Sequence, residues 1–174
     1  YSAEPVRLKR SGWWGPGLVG LSYETLPWLT GAAVMAHASG AGAPGWPVAV
    51  VAVLYGIGAH GIMTLNDFKS IAGDRRFGIL SLPVRLGPDR AARLACVAMA
   101  VPQVVVIILL WSWGAPWHAA AVAASLLLQL LCMARLLRDP RGLAPWYNGT
   151  GVLLYVLGMM ASALALRPVL AAGA

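Results

Sequence analysis

Two aspartates seven residues apart, Asp67 and Asp74, stand in the longest polar insertion of an otherwise apolar chain, HGIMTLNDFKSIAGDRRFGILSLPVRLG over 60–87. On a continuous α-helix that separation is two turns, which brings both carboxylates to one face with Asn66 and Lys69 beside them. Carboxylates with oxygen-bearing neighbours suit magnesium, a hard cation that keeps several waters and takes one or two protein carboxylates together with the phosphate oxygens of a substrate. Lys69, Arg75 and Arg76 are placed to hold such phosphates by charge-assisted hydrogen bonds. The plain alternative is a solvated charged face, in which the acids cap a helix and neutralise basic neighbours. Position weighs against it: Asn66 and Asp67 end an apolar helix without a break, and ionisable groups at membrane depth are costly enough to mark function.

The elements that must position these residues are membrane spans. The chain of 174 residues is 59% hydrophobic and 11% charged, where soluble domains carry roughly 25% charged residues. Five apolar segments, at about 16 to 39, 47 to 65, 91 to 113, 117 to 137 and 147 to 167, are each long enough to cross a hydrocarbon core of about 30 Å as a helix. The fold class expected is therefore an all-α membrane protein of five transmembrane helices, with residues 1–174 forming one membrane domain. Pro27 and Pro102 interrupt their spans, and such kinks survive where neighbouring helices satisfy the freed carbonyls.

Charge orients the bundle. Twelve of the thirteen Lys and Arg residues fall before the first span, between the second and third, or between the fourth and fifth, and only Arg167 lies at the other face. By the positive-inside rule the N-terminus and the 66–90 loop are cytosolic and the C-terminus is external, with Trp28, Trp46, Trp111, Trp113, Trp117 and Trp146 mostly serving as interface anchors. The formal charge of +7 sits in short runs between apolar segments instead of one basic face, which excludes a nucleic-acid partner. Cys96 and Cys132 lie inside spans without metal-ligand spacing and read as apolar packing residues. The opening YSAEPVRLKR lacks an initiator Met, a signal h-region and a cleavage site, as expected of a fragment or a processed chain.

From Asn66 onward, NDFKSIAGDRRFGILSLPVRLG resembles the second acidic motif of the UbiA superfamily of intramembrane prenyltransferases. The opening YSAEPVRLKRSGWWG resembles the basic stretch after that family's fourth helix, and LSYETLPWLTGAAVM resembles the helix that follows. The similarity covers nearly the whole chain and is nearest to the branch that acts on chlorophyll-type pigments. Two positions depart from the family pattern: Ala72 stands where an acidic residue is usual, and Glu4 where proline is usual.

The resemblance implies a nine-helix bundle with two acidic motifs facing each other across a cytosol-side cavity. This chain would supply five helices and the second motif, and the amino-terminal four helices would carry the first. It also implies a reaction, in which a geranylgeranyl or phytyl group leaves its diphosphate for the propionate of a chlorophyllide-type tetrapyrrole, in bacteriochlorophyll biosynthesis. Asp67 and Asp74 would bind Mg2+, with Lys69 also catalytic and Arg7, Lys9, Lys69 and Arg75 on the diphosphate. The bilayer would be a bacterial inner membrane, cytoplasmic or intracytoplasmic and photosynthetic. The competing expectation is a non-catalytic UbiA-derived subunit packed against a photosynthetic pigment-protein complex.

Four residues are expected to line the substrate cavity: Tyr23, Glu24, His60 and Asn66. Glu24 is the only acid deep in a span. It either orients the tetrapyrrole or a cation-like centre, or is a protonated carboxyl hydrogen-bonded between helices. His60, seven residues before Asp67, either approaches the pigment's central magnesium or is a packed hydrogen-bonding residue. NGT at 148 to 150 matches a glycosylation sequon but falls at the cytosolic start of the last span, where it is discounted.

Overall fold

Inside hydrocarbon a backbone amide finds no water, so the apolar segments close their hydrogen bonds locally, as helices. The computed structural model describes residues 8–40 and 42–167, and Lys9 by its backbone alone. After a single turn at Leu8–Arg10 the first helical stretch comprises α1 (Trp14–Gly20), a π-helical segment (Leu21–Thr25) and α2 (Leu26–Ala38). Pro27 explains the interruption. It has no N–H for the carbonyl four residues back, and the helix widens so that the Leu26 N–H reaches the Leu21 oxygen five residues behind.

α3 (Trp46–Asn66) runs on through a 3-10 turn, Asp67–Ser70, into the short α4 (Ile71–Arg76); α5 (Leu82–Leu86), α6 (Pro88–Ser112), α7 (Pro116–Leu136) and α8 (Pro140–Ala165) follow. Among the described residues four helices are long and apolar enough to cross a membrane, those beginning at Trp46, Pro88, Pro116 and Pro140. They coincide with the last four expected spans, and the first expected span is the π-interrupted stretch. α8 begins at Pro140 rather than near 147, because Asp139 caps it by accepting from the Gly142 N–H at 3.1 Å and proline suits a first turn.

α3 lies along α6, and α7 along α8. The first contact is close enough that a Cβ on Gly61 would strike the Ala95 carbonyl, the small-residue approach typical of helices in lipid. The π-interrupted helix packs on α3 at three levels: Gly20 against Gly56, the Thr25 hydroxyl donating to the Ala52 carbonyl at 3.2 Å, and Trp28 stacked on Tyr55 with ring centroids 5.5 Å apart. Trp28 is thereby a bundle residue, whereas Trp46, Trp111 and Trp117 are exposed as interface anchors should be.

Polar groups fix the register of the helices in the middle of the bundle. Gln103 on α6 donates to the Gln129 carbonyl oxygen on α7 at 2.7 Å, and Gln129 donates to the Tyr147 hydroxyl on α8 at 3.0 Å, all three fully buried. On α8, Tyr155 donates to the Tyr55 carbonyl of α3 at 2.7 Å. Such interhelical bonds average only about 0.6 kcal/mol each in membranes, so their chief effect is to specify which residues meet. Cys96 is buried and Cys132 half-buried, both free thiols.

Candidate functional site

α3 carries Asn66 to the end of its apolar length, and there the winding changes. A 3-10 turn advances three residues per turn instead of 3.6. Across Asp67–Ser70 the chain therefore turns faster than a continuous α-helix, and the two aspartates come to different surroundings. Asp74 is 2% exposed, while Asp67 is half-buried. The Ser70 hydroxyl lies 3.0 Å from Asp74 Oδ2 and 3.0 Å from the Asp67 carbonyl oxygen, so one side chain ties the two positions together.

The loop after α4 folds back on this turn, the Ile79 N–H bonding the Asp74 carbonyl at 2.8 Å. The segment just before α1 is laid across the same loop by a bridge between Ser11 and Leu80, at which Gly12 sits 2.8 Å, at its Cβ position, from the Leu80 carbonyl. Ser11 and Gly12 are thus fastened to the loop that folds back on the acidic end of α3. Arg7 and the Lys9 side chain, two of the expected diphosphate ligands, lie outside the described residues.

The cationic candidates separate from the carboxylates. Lys69 and Arg75, both exposed, line a cavity of about 260 Å³ with Phe68, Ile71, Ala72 and Arg141, and neither Asp67 nor Asp74 borders it. Arg141, from the first turn of α8, is a third cation that sequence spacing did not connect to the site, since 66 residues separate it from Arg75. Asn66 is also met by α8: Asn148 Nδ2 donates to Asn66 Oδ1 at 3.0 Å. The sequon asparagine is thus engaged within the bundle.

His60 sits two turns deeper than Asp67, as expected from its spacing, on the wall of an apolar cavity of about 560 Å³ that also has Trp13, Trp14, Leu18, Ile57 and Ala98 on its walls. Its Nε2 is 3.2 Å from the Trp13 carbonyl, and the two rings are 5.5 Å apart. A carbonyl only accepts, so Nε2 carries the proton and donates. That bond clamps the segment before α1 to α3. Tyr23 is 76% exposed and Glu24 half-buried in the π segment; neither lines this cavity, and the Glu24 carboxyl has no hydrogen-bond partner among the described residues.

Among the described residues no three of His, Cys, Asp and Glu gather as a metal cage. Asp67, Asp74 and the Ser70 hydroxyl nevertheless make an all-oxygen set of donors on the turn that ends α3. It fits a cation that draws its remaining ligands from water and substrate phosphates, as magnesium does, and suits zinc or copper poorly.

Residues 1–149 match the UbiA prenyltransferase family. The chain is 63% identical over 167 residues to the bacteriochlorophyll synthase 33 kDa chain of Cereibacter sphaeroides, covering 96% of this chain and 54% of the relative. It is 58% identical to the protein of the same description from Rhodobacter capsulatus, covering 96% and 55%, and 37% identical to the chloroplastic chlorophyll synthase of Arabidopsis thaliana, covering 95% and 41%. The chain spans about half the length of the bacterial relatives it matches. No solved structure matches it.

Proposed function

The chain belongs to the UbiA prenyltransferase family, and from that premise we propose that it is the part of a bacteriochlorophyll-synthase-type enzyme that carries one half of the diphosphate site. The reaction is esterification of the propionate of a chlorophyllide-type tetrapyrrole by geranylgeranyl or phytyl diphosphate. The observation that supports this best is the 63% identity over 96% of the chain to a bacteriochlorophyll synthase, with the oxygen-rich end of α3 as the matching chemistry.

In the step itself a propionate oxygen forms a bond to C1 of the prenyl group as the C1–O bond to diphosphate breaks. The propionate is already ionised at neutral pH, so no strong base is required. What remains is to orient the acceptor and to stabilise charge on the leaving group. Asp67 and Asp74 would hold magnesium, which when bound supplies positive charge to the diphosphate oxygens. Lys69 and Arg75, joined by Arg141, add a cationic wall, and Asn66 contributes a carboxamide beside Asp67. The apolar cavity lined by Trp13, Trp14 and Ile57 offers the isoprenoid or the macrocycle an apolar surface to lie against. In this reading the acidic end of α3 faces the cytosol, where the basic residues of the loops collect, and the membrane is the bacterial inner membrane.

In the full-length enzyme, D67N and D74N are each expected to abolish esterification of chlorophyllide by a prenyl diphosphate, measured by pigment chromatography. Unchanged turnover in both variants would remove the metal-binding role from these carboxylates.

A further inference from the structure

Asn148 lies 82 residues from Asn66 and on another helix, yet the two side chains form one amide pair at the acidic end of α3. Asn148 Nδ2 donates to Asn66 Oδ1 at 3.0 Å, and Asn66 Nδ2 in turn points one N–H at Met63 Sδ, 3.7 Å away. Asn148 Oδ1 is buried and has no hydrogen-bond partner among the described residues. A buried acceptor left without a donor is costly and rare, so this amide is not arranged for its own satisfaction.

The alternative orientations are worse. Turning Asn148 over would set two carbonyl oxygens against each other. Turning both amides over would restore the pair but place the Asn66 oxygen against the Met63 sulfur, exchanging a weak donor contact for a repulsive one. The observed orientation therefore fixes what Asn66 has left to offer. Its oxygen is engaged by α8, and one N–H has only a soft sulfur for a partner while the second has none among the described residues.

We propose that Asn148 is a positioning residue that holds the Asn66 carboxamide with its N–H edge available to a phosphoryl oxygen of the prenyl diphosphate, so that Asn66 serves the substrate and not the metal. This rests on the site assigned above to Asp67 and Asp74. Accepting the Asn148 N–H also polarises the Asn66 amide and makes its own N–H groups better donors.

The test uses the full-length enzyme. N148L removes the donor at similar size, N148D exchanges it for an acceptor and should rotate the Asn66 amide, and N148Q keeps the amide. N148L and N148D are expected to raise KM for the prenyl diphosphate about tenfold, with kcat and the half-saturating Mg2+ concentration within about twofold of the parent and N148Q recovering most of the loss, as for one hydrogen bond to a charged group. Calorimetric binding of inorganic pyrophosphate in magnesium buffer, which involves no turnover, should weaken in parallel. A raised magnesium requirement with unchanged pyrophosphate affinity would put the Asn66 oxygen on the metal and overturn the proposal, as would parental behaviour of both N148L and N148D. D67N separates the two levels: if it is inactive while the Asn148 variants behave as the parent, only the positioning role falls, and if D67N is active the site assignment falls with it.

Discussion

Replacing Ser70 by alanine removes a single oxygen from the acidic end of α3. Its hydroxyl is 3.0 Å from both Asp74 Oδ2 and the Asp67 carbonyl, and having one proton it donates to one of them at a time. The carboxylate is the stronger acceptor, since hydrogen bonds to charged groups contribute about 1.5–3 kcal/mol. Asp74 is 2% exposed, so little water stands ready to replace the lost donor. It has further interactions, however, and Ser70 is itself only half-buried, which favours the lower figure. About 1.5 kcal/mol corresponds to roughly a tenfold change at about 1.36 kcal/mol per decade. In the full-length enzyme, S70A should thus lower kcat/KM for chlorophyllide esterification about tenfold, while S70T, which keeps the hydroxyl, stays within about threefold. The thermal unfolding midpoint in detergent should fall by only a few degrees, since the same bond contributes to folding. If S70A matches the parent while D74N is inactive, the carboxylate is oriented without the hydroxyl and the reasoning fails.

Two other outcomes follow from the packing. R141A should raise KM for the prenyl diphosphate about two- to fivefold, the worth of one exposed cation–phosphate contact of about 0.5–1 kcal/mol, with an effect that shrinks in high salt; R138A, outside the cavity of Lys69 and Arg75, should leave KM unaltered, and equal effects of the two would argue for general charge instead of a site. G61V forces a side chain onto the Ala95 carbonyl and should cost about 1–3 kcal/mol, read as a lower unfolding midpoint. G149A, whose Cβ meets nothing within 4 Å, is its neutral counterpart, and a G61V midpoint equal to that of G149A would refute the close α3–α6 approach.

The spans were legible because hydropathy is written locally: α3, α6 and α7 begin and end within a few residues of where apolar runs meet proline, glycine or, at Asn66 and Asp67, polar residues. The acidic pair was legible for the same reason, being a polar interruption at membrane depth. Its geometry was not. Spacing of seven places two residues on one face only if the winding is constant, and the 3-10 turn at Asp67–Ser70 alters it, leaving Asp74 buried and Asp67 half-buried. Arg141 and Asn148 were invisible as site residues because what connects them to α3 is the return of α8 to the same end of the bundle, a tertiary event with no local signature. Pro145 and Arg141 also disguised the first turns of α8 as a loop. His60 meets Trp13 across 47 residues of sequence, a contact that no spacing rule reports.

The widened turn at Leu21–Thr25 settles a problem of phase. Gly20 and Trp28 both meet α3, yet eight residues of regular α-helix would set them about 80° apart around the axis, at about 100° per residue. One residue absorbed in the π turn makes them count as seven apart, about 20° from alignment. The segment therefore acts as an insertion taken up without rotating what lies on either side. Loss of one residue between Leu21 and Thr25 would return the helix to ordinary spacing and leave both contacts facing α3. The same loss a turn nearer the N-terminus would turn the Trp13 end away from His60. Length variation within this helix should accordingly be confined to those five positions.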